Sequence, residues 1–262
     1  MAMDLNMNSI EGRLSKRLLC VANMLKDDDD VELHACDVGC DHGYVSIYLV
    51  QKDIAKSAIA MDVRQGPLSG AKENIKAFGL DDRIKTRLSD GLKELSAGEA
   101  NALIIAGMGG KLMIRLLENN PPGDLGIEKA VLQPQSELME FRQFIRSQGY
   151  TIVDEEVILD EGKYYFPIKV RFSSAGCNKL DEAIELLIQK TKCDPKTALN
   201  ICDRFGEINI IKKTDILKAY CEHGAQVSAS ILKALDEKEH EARYREVESA
   251  LLENKVLLNY YM

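Results

Sequence analysis

The stretch HACDVGCDHGYVSIYLV, His34 to Val50, decides the reading of this chain. It opens as a strand, breaks at two glycines and continues as a helix. Glycines after a strand let the backbone approach a ligand closely, and the helix that follows offers free N–H groups. A dinucleotide fingerprint would read G-x-G-x-x-G. Here the line is Gly39-Cys40-Asp41-His42-Gly43, with Asp37 before it. The spacing does not suit a pyrophosphate, and Asp41 adds negative charge where a phosphate would sit. A cationic or zwitterionic ligand fits better. S-adenosylmethionine, with an ammonium, a sulfonium and a single carboxylate, is one.

Outward from this stretch, strands and helices alternate. A helix is expected first, because Ile10, Leu14, Leu18, Val21 and Leu25 share one side of SIEGRLSKRLLCVANMLK. The acidic run 27–30 reads as a solvated loop. Strands follow at VELHACDVG, SAIAMDV, RIKTRLSDG, NALIIAG and EKAVLQP, with helices at YVSIYLVQK, GPLSGAKENIKAFG, GKLMIRLLENN and SELMEFRQFIRSQG. Pro67 starts one helix and Gly79 follows its end, while Pro121 and Pro122 stop another. YTIVDEEVIL and YYFPIKVRF, joined by DEGK, read as a final antiparallel pair. Repeated β-α-β units mean an α/β protein with a mostly parallel sheet, covered by helices on both faces.

From about Ser173 the strands disappear. KLDEAIELLIQKTK reads as a helix, and DPKTALNICDRFG as another, capped by Asp194 and stopped by Gly206. Tyr244, Val247, Leu251, Asn254, Leu258 and Tyr261 alternate by three and four, which predicts a helical hairpin or short coiled coil. The domains expected are therefore 1–172 and 173–262, the second helical and coiled-coil-like. Such a seam leaves open whether the partner is the same chain or a second copy.

Composition narrows the function. The 262 residues carry 34 basic and 42 acidic side chains, net −8, so a nucleic acid would have to meet a local basic patch. Seven cysteines, with no Cys-x-x-Cys pair, suggest reduced thiols in a cytoplasmic protein rather than a metal site or disulfide framework. No apolar run reaches the ~18 residues of a membrane helix, and the N-terminus carries no secretory signal.

In a parallel sheet, ligands sit past the C-terminal strand ends near the switch in strand order. The loops there are Asp37–Gly43, Asp62–Gly66, Ser89–Gly91, Gly107–Gly110 and Gln133–Ser136. Asp62 ends the second strand, near the ~20-residue offset at which an acid meets ribose hydroxyls. Asp90, with Gly91 beside it, suits an adenine amino group. Each acid has a plainer alternative as a turn former or cap, but three acids at three successive strand ends make a more specific signal than one turn. The candidate cofactor contacts are Asp37, Gly39, Cys40, Gly43 and Tyr44 in the first loop, then Asp62 and Val63, Asp90 and Gly91, and Ala106, Gly107 and Met108 after the fourth strand.

Together LSKRLLCVANML, DVGCDHGYVSIYLV, AGMGGKLM, LQPQSELMEFRQFI and EGKYYFPIKV resemble the bacterial TrmK family of class I, S-adenosylmethionine-dependent methyltransferases, over about residues 10–172. The resemblance implies a Rossmann-like fold of seven strands with an antiparallel last strand, a helical C-terminal domain, and methyl transfer to N1 of adenine 22 in tRNA. A third glycine usually stands at Asp41 in methyltransferases at large; the Asp-His pair is what this narrower family shows. Asp41 is then the carboxylate expected to stabilise positive charge on the methylated ring, with a helix cap as the alternative. His42 is a candidate proton relay, with packing as the alternative. The acceptor base is expected against Gly107–Gly110, with Met108 packing on it, Gly109 and Gly110 exposing backbone, and Gln133, Pro134 and Gln135 reaching its edge. Lys16 and Arg17, with Arg13, form a basic outer face on the first helix for tRNA, and Lys111 and Arg115 add to it; a solvated face is the alternative. No metal and no membrane partner is expected. Two rivals stand beside this reading: a methyltransferase acting on a small molecule or protein, and a non-catalytic cofactor- or RNA-binding module.

Overall fold

The computed structural model describes residues 9–26, 31–172 and 179–262. The chain divides into two compact units, residues 1–177 and 178–262. The expected loop at 27–30 and the expected boundary near Ser173 lie outside the described residues.

The first unit is a doubly wound sheet. Strands β1 (His34–Val38), β2 (Ser57–Asp62), β3 (Ile84–Leu88), β4 (Ala102–Met108) and β5 (Lys129–Pro134) are connected through α2 (Tyr44–Gln51), α3 (Gln65–Ala77) and α4 (Gly110–Asn119). Helix α5 (Leu138–Ser147) follows, then β6 (Thr151–Glu155), β7 (Ile158–Asp160), β8 (Lys163–Tyr165) and β9 (Ile168–Arg171). The seven-stranded sheet runs β3-β2-β1-β4-β5-β9-β6. The first five strands are parallel, and β9 lies antiparallel between β5 and β6. Leu103, Ile104 and Ile105 of β4 and Ala130, Val131 and Leu132 of β5 are fully buried, as central strands covered on both faces must be. The fold expected from the sequence is the one observed.

Two local expectations change. The first helix begins at Lys16 rather than near Ile10; α1 spans Lys16–Met24 after a 3-10 turn at Glu11–Arg13. Ser15 interrupts the run by capping, its side chain accepting from Leu18 N. Ile10, Leu14, Val21 and Leu25 are all buried nonetheless. The terminal hairpin also splits. β6 pairs with β9, whereas β7 and β8 form a separate two-stranded ribbon around the DEGK turn. Pro167 has no N–H for a ladder, and its carbonyl instead accepts from Glu156 N where the pairs part. Helix α5 is fixed to β6 by a fully buried Arg142–Glu155 pair, Nε to Oε1 2.7 Å.

The second unit is helical: α6 (Leu180–Thr191), α7 (Pro195–Phe205), α8 (Glu207–Lys212), α9 (Asp215–Ala234) and α10 (Glu241–Tyr261). Asp194 caps α7 as expected, accepting from Lys196 N and Thr197 N. α9 and α10 form a helical hairpin within the chain, and α10 also packs on α6 and α7. Val247 and Asn254 of the expected seam are buried, while Tyr244, Leu251, Leu258 and Tyr261 are half-buried. A second stripe, Glu253, Leu257 and Tyr260, is also buried, because α10 has neighbours on more than one side. On that stripe Glu253 pairs with Arg204 of α7. Among the described residues no helix is long and apolar enough to cross a membrane.

Candidate functional site

The strand order reverses between β1 and β4, so the loops leaving them diverge and open a crevice. A cavity of about 260 Å³ lies there. Val38 and Gly39 line it from β1, Asp62, Val63 and Arg64 from β2, and Ser89, Asp90 and Gly91 from β3. Ala106, Gly107 and Met108 close it from β4, with Leu112 and Leu116 from α4, and Asp41 reaches it from the glycine turn. Residues from four strand ends, far apart in sequence, thus meet in one cleft.

The turn itself is stitched to β2. Gly39 N and Cys40 N both donate to Met61 O, at 2.8 and 2.9 Å. Gly39 has φ +77°, and a Cβ there would lie 2.6 Å from Met108 Cε, so the Met108 methyl already fills the space over the glycine. Asp41 has φ +50°, a left-handed conformation that Asp tolerates and glycine favours. Its cap alternative is not what forms: Gly43 holds the N-cap position of α2. The Asp41 side chain is largely exposed.

Asp62 is buried, with Oδ1 accepting from Arg64 N at 2.9 Å. Asp90 is exposed and pairs with Lys93 at 2.5 Å, and that ammonium holds its carboxyl below the usual range. Ser89 Oγ donates to Gly91 O at 2.7 Å and shapes the β3 loop. The cleft wall therefore presents three carboxylates, Asp41, Asp62 and Asp90, against the guanidinium of Arg64.

Several expected contacts do not line the cleft. Asp37 is buried beneath the turn, where Ser46 Oγ donates to Oδ2 at 2.8 Å. Burial raises its carboxyl to about 6 despite that bond. Asp37 thus ties the end of β1 to α2. The Cys40 thiol points into the core, where burial pushes its pKa up. Gly43 serves packing, since a Cβ there would lie 3.1 Å from Ala71 Cβ on α3. Tyr44 packs against the core cluster. His42 turns to α3 as well. A Cβ on Gly70 would lie 3.2 Å from its Nδ1, and its carbonyl accepts from Asn74. Its side chain is not among those around the cleft, though its Nε2 lies 3.9 Å from Oδ1 of Asp41, which is.

On the acceptor side, Gly109 and Gly110 are used for close packing rather than to expose backbone. A Cβ on Gly110 would lie 2.5 Å from Ser136 O, and one on Gly109 3.0 Å from Ser136 Oγ. Gln133 is fully buried, its Oε1 accepting from Gly107 N at 3.1 Å and from Arg17 Nη1 at 2.6 Å. Pro134 is buried at the end of β5. Gln135 is exposed, and its N donates to Met108 O at 2.9 Å. Lys16 on α1 and Arg13 on the 3-10 turn before it stay exposed as expected, but Arg17 does not face outward. Its guanidinium lies 5.1 Å from the Tyr165 ring centroid, and its N donates to Asp160 Oδ2 of the β7–β8 ribbon. Lys111 and Arg115 remain exposed on α4.

Val38, Arg64 and Ser89 lie in the expected loops but were not among the candidate contacts, and sequence reasoning missed Leu112 and Leu116 in the cleft wall. The first three adjoin predicted residues. The last two stand four apart on α4, a spacing that marks one helix face but not which cavity it meets.

An open parallel sheet of this order, with an acidic cleft at its switch point, defines a Rossmann-like small-molecule-binding domain. The chain belongs to the methyltransferase-domain family, whose model matches residues 14–168. A Bacillus subtilis tRNA (adenine(22)-N(1))-methyltransferase is 36% identical over 155 residues, which is 59% of this chain. The match spans 63% of that relative's length, less than two thirds. The crystal structure of the B. subtilis m1A22 tRNA methyltransferase TrmK superposes with TM-score 0.74 at 26% identity, covering 94% of this chain and 98% of the other. The Streptococcus pneumoniae protein Sp1610, in complex with S-adenosyl-L-methionine, has TM-score 0.74 at 26% identity, covering 94% and 99%.

Proposed function

We propose that this chain transfers a methyl group from S-adenosylmethionine to N1 of adenine 22 in tRNA. The observation that carries the reading is the cleft with Asp41, Asp62 and Asp90 at successive strand ends, opening beside the glycine loop of β4. The family match and the relatives described as m1A22 methyltransferases support the substrate. An excess of carboxylates suits a ligand bearing two positive centres. Asp62 would accept from the ribose hydroxyls. Asp90 and Gly91 would meet the adenine of the cofactor, and Gly39 and Asp41 would lie towards its amino-acid end. When bound, that cofactor supplies an electrophilic methyl group.

The N1 lone pair of adenine needs no deprotonation to attack, so positioning and exclusion of water carry the rate. The acceptor must leave its stack to expose N1. The Gly107 loop and the 133–135 segment lie on the side of the cleft where it would arrive. Asp41 is exposed, and among the described residues its ionic neighbour is His42, 3.9 Å away, so it is available to stabilise the positive charge that develops on the methylated ring. tRNA is the proposed partner and the cytoplasm the proposed compartment.

The test is direct. Labelled S-adenosylmethionine and unmodified tRNA carrying adenine at position 22 are incubated with the protein, and the digested product is identified. N1-methyladenosine at that position is expected. Cofactor binding without transfer to tRNA would move the reading to a small-molecule or protein acceptor.

A further inference from the structure

The two glutamines of the 133–135 segment look alike in sequence and are unlike in space. Gln133 is spent. Its Oε1 takes both Gly107 N and Arg17 Nη1, its Nε2 donates to Pro134 O at 3.2 Å, and the residue is fully buried. Gln135 is exposed, and among the described residues its amide has no hydrogen-bond partner. A Cβ on Gly107 would lie 3.5 Å from Gln135 Nε2, so the free amide stands directly over the glycine of the acceptor loop. The backbone that carries it is held by hydrogen bonds. Gln135 N donates to Met108 O, Gly110 N donates to Ser136 O at 3.2 Å, and Arg17 holds Gln133 beneath.

A primary amide presents one donor and one acceptor side by side. Adenine offers the matching pair on its Hoogsteen edge, N7 as acceptor and the N6 amine as donor. The other edge carries N1, which must stay bare to attack. Recognition that leaves N1 free therefore falls on N6 and N7.

We propose that Gln135 selects the acceptor base by this edge, Nε2 donating to N7 and Oε1 accepting from N6. The inference rests on the proposed tRNA adenine-N1 activity and assigns its base specificity. Arg17 is a positioning residue acting through Gln133, which keeps the Gly107 loop and the free amide in register.

The experiment compares tRNA carrying adenine or 7-deazaadenine at the target position, with wild-type protein, Gln135→Ala and Gln135→Glu. Removing N7 should lower the wild-type kcat/KM by about tenfold, the worth of one hydrogen bond in such a pair. Gln135→Ala should show a similar or larger loss on natural tRNA and no further loss on 7-deazaadenine. Gln135→Glu, which keeps the N6 acceptor but lacks the N7 donor, should likewise be indifferent to N7. Cofactor affinity by calorimetry should be unchanged in both variants. Any intrinsic change in N1 basicity in the analogue acts on all three proteins and cancels in the comparison. An equal change in all three proteins overturns the assignment while leaving the activity standing. No transfer to natural tRNA by the wild type overturns the activity itself, and this inference with it.

Discussion

Asp37 shows how a residue can be found in the sequence and still be given the wrong task. Its place at the end of β1 marks it as part of the site, yet its carboxylate faces Ser46 and not the cleft. Burial raises its folded pKa to about 6, against an ordinary value near 3.8. The folded chain therefore holds a proton there that the unfolded chain has released. Its stabilising contribution is fully present below about pH 3.8 and is lost as pH rises through about 6, an effect of roughly 3 kcal/mol if the whole shift is expressed. Asp37→Asn cannot ionise. The stability of this variant relative to wild type should rise between pH 4 and pH 7, measured by urea unfolding at each pH. A difference that stays flat across that range would place the raised pKa elsewhere. Arg17 gives a parallel case: a basic residue on an amphipathic helix reads as surface charge, but its neighbours Gln133 and Tyr165 come from strands more than a hundred positions away.

At the scale of elements, α9 and α10 carry a test with a definite sign. Gly224 sits inside α9, where replacing it by alanine should favour an isolated helix by about 1 kcal/mol. In the folded hairpin a Cβ there would lie 2.7 Å from Asn254 Oδ1 of α10. Asn254 is buried and held by its own bond from Nδ2 to Ala250 O at 2.7 Å, so its amide has little room to give. Its Oδ1 has no hydrogen-bond donor among the described residues and faces Gly224. Gly224→Ala should therefore destabilise the protein, by about 1–3 kcal/mol from overpacking. Adding Asn254→Ala should recover most of that loss. A stabilised single variant in thermal denaturation would show that helix propensity outweighs the contact. The same packing logic explains why the expected seam on α10 is joined by a second buried stripe: heptad spacing reports one partner, and α10 packs on α9, α6 and α7.

At the scale of the whole molecule, a chain with net charge −8 has to meet an anionic partner through local patches. Arg13, on the 3-10 turn, and Lys16, at the start of α1, are the exposed cations left there once Arg17 turns inward. Replacing both by glutamine should weaken tRNA binding at low salt. It should also reduce the slope of log affinity against log salt by about 2, one unit for each phosphate that is no longer neutralised. Cofactor affinity should not change, because neither side chain lines the cleft. An unaltered salt slope would remove α1 from the tRNA face.

The sequence by itself determined the alternation of strands and helices, the glycine turn after β1, the acids at 37, 62 and 90, and the change to a helical C-terminal third. Each of these is local, set by periodicity, turn chemistry or a residue's place at a strand end. Only the tertiary structure decided which of those residues share the cleft. It turned His42 and Gly43 to α3, gave Gly109 and Gly110 to the close approach of the Ser136 loop, and divided the terminal hairpin at Pro167. It also separated Gln133 from Gln135, burying one amide between Arg17 and Gly107 and leaving the other free. The physical reason is common to all of them. The face a side chain presents depends on partners brought in by the strand order, and hydrogen bonds and packing between distant segments leave no trace in the pattern of either segment alone.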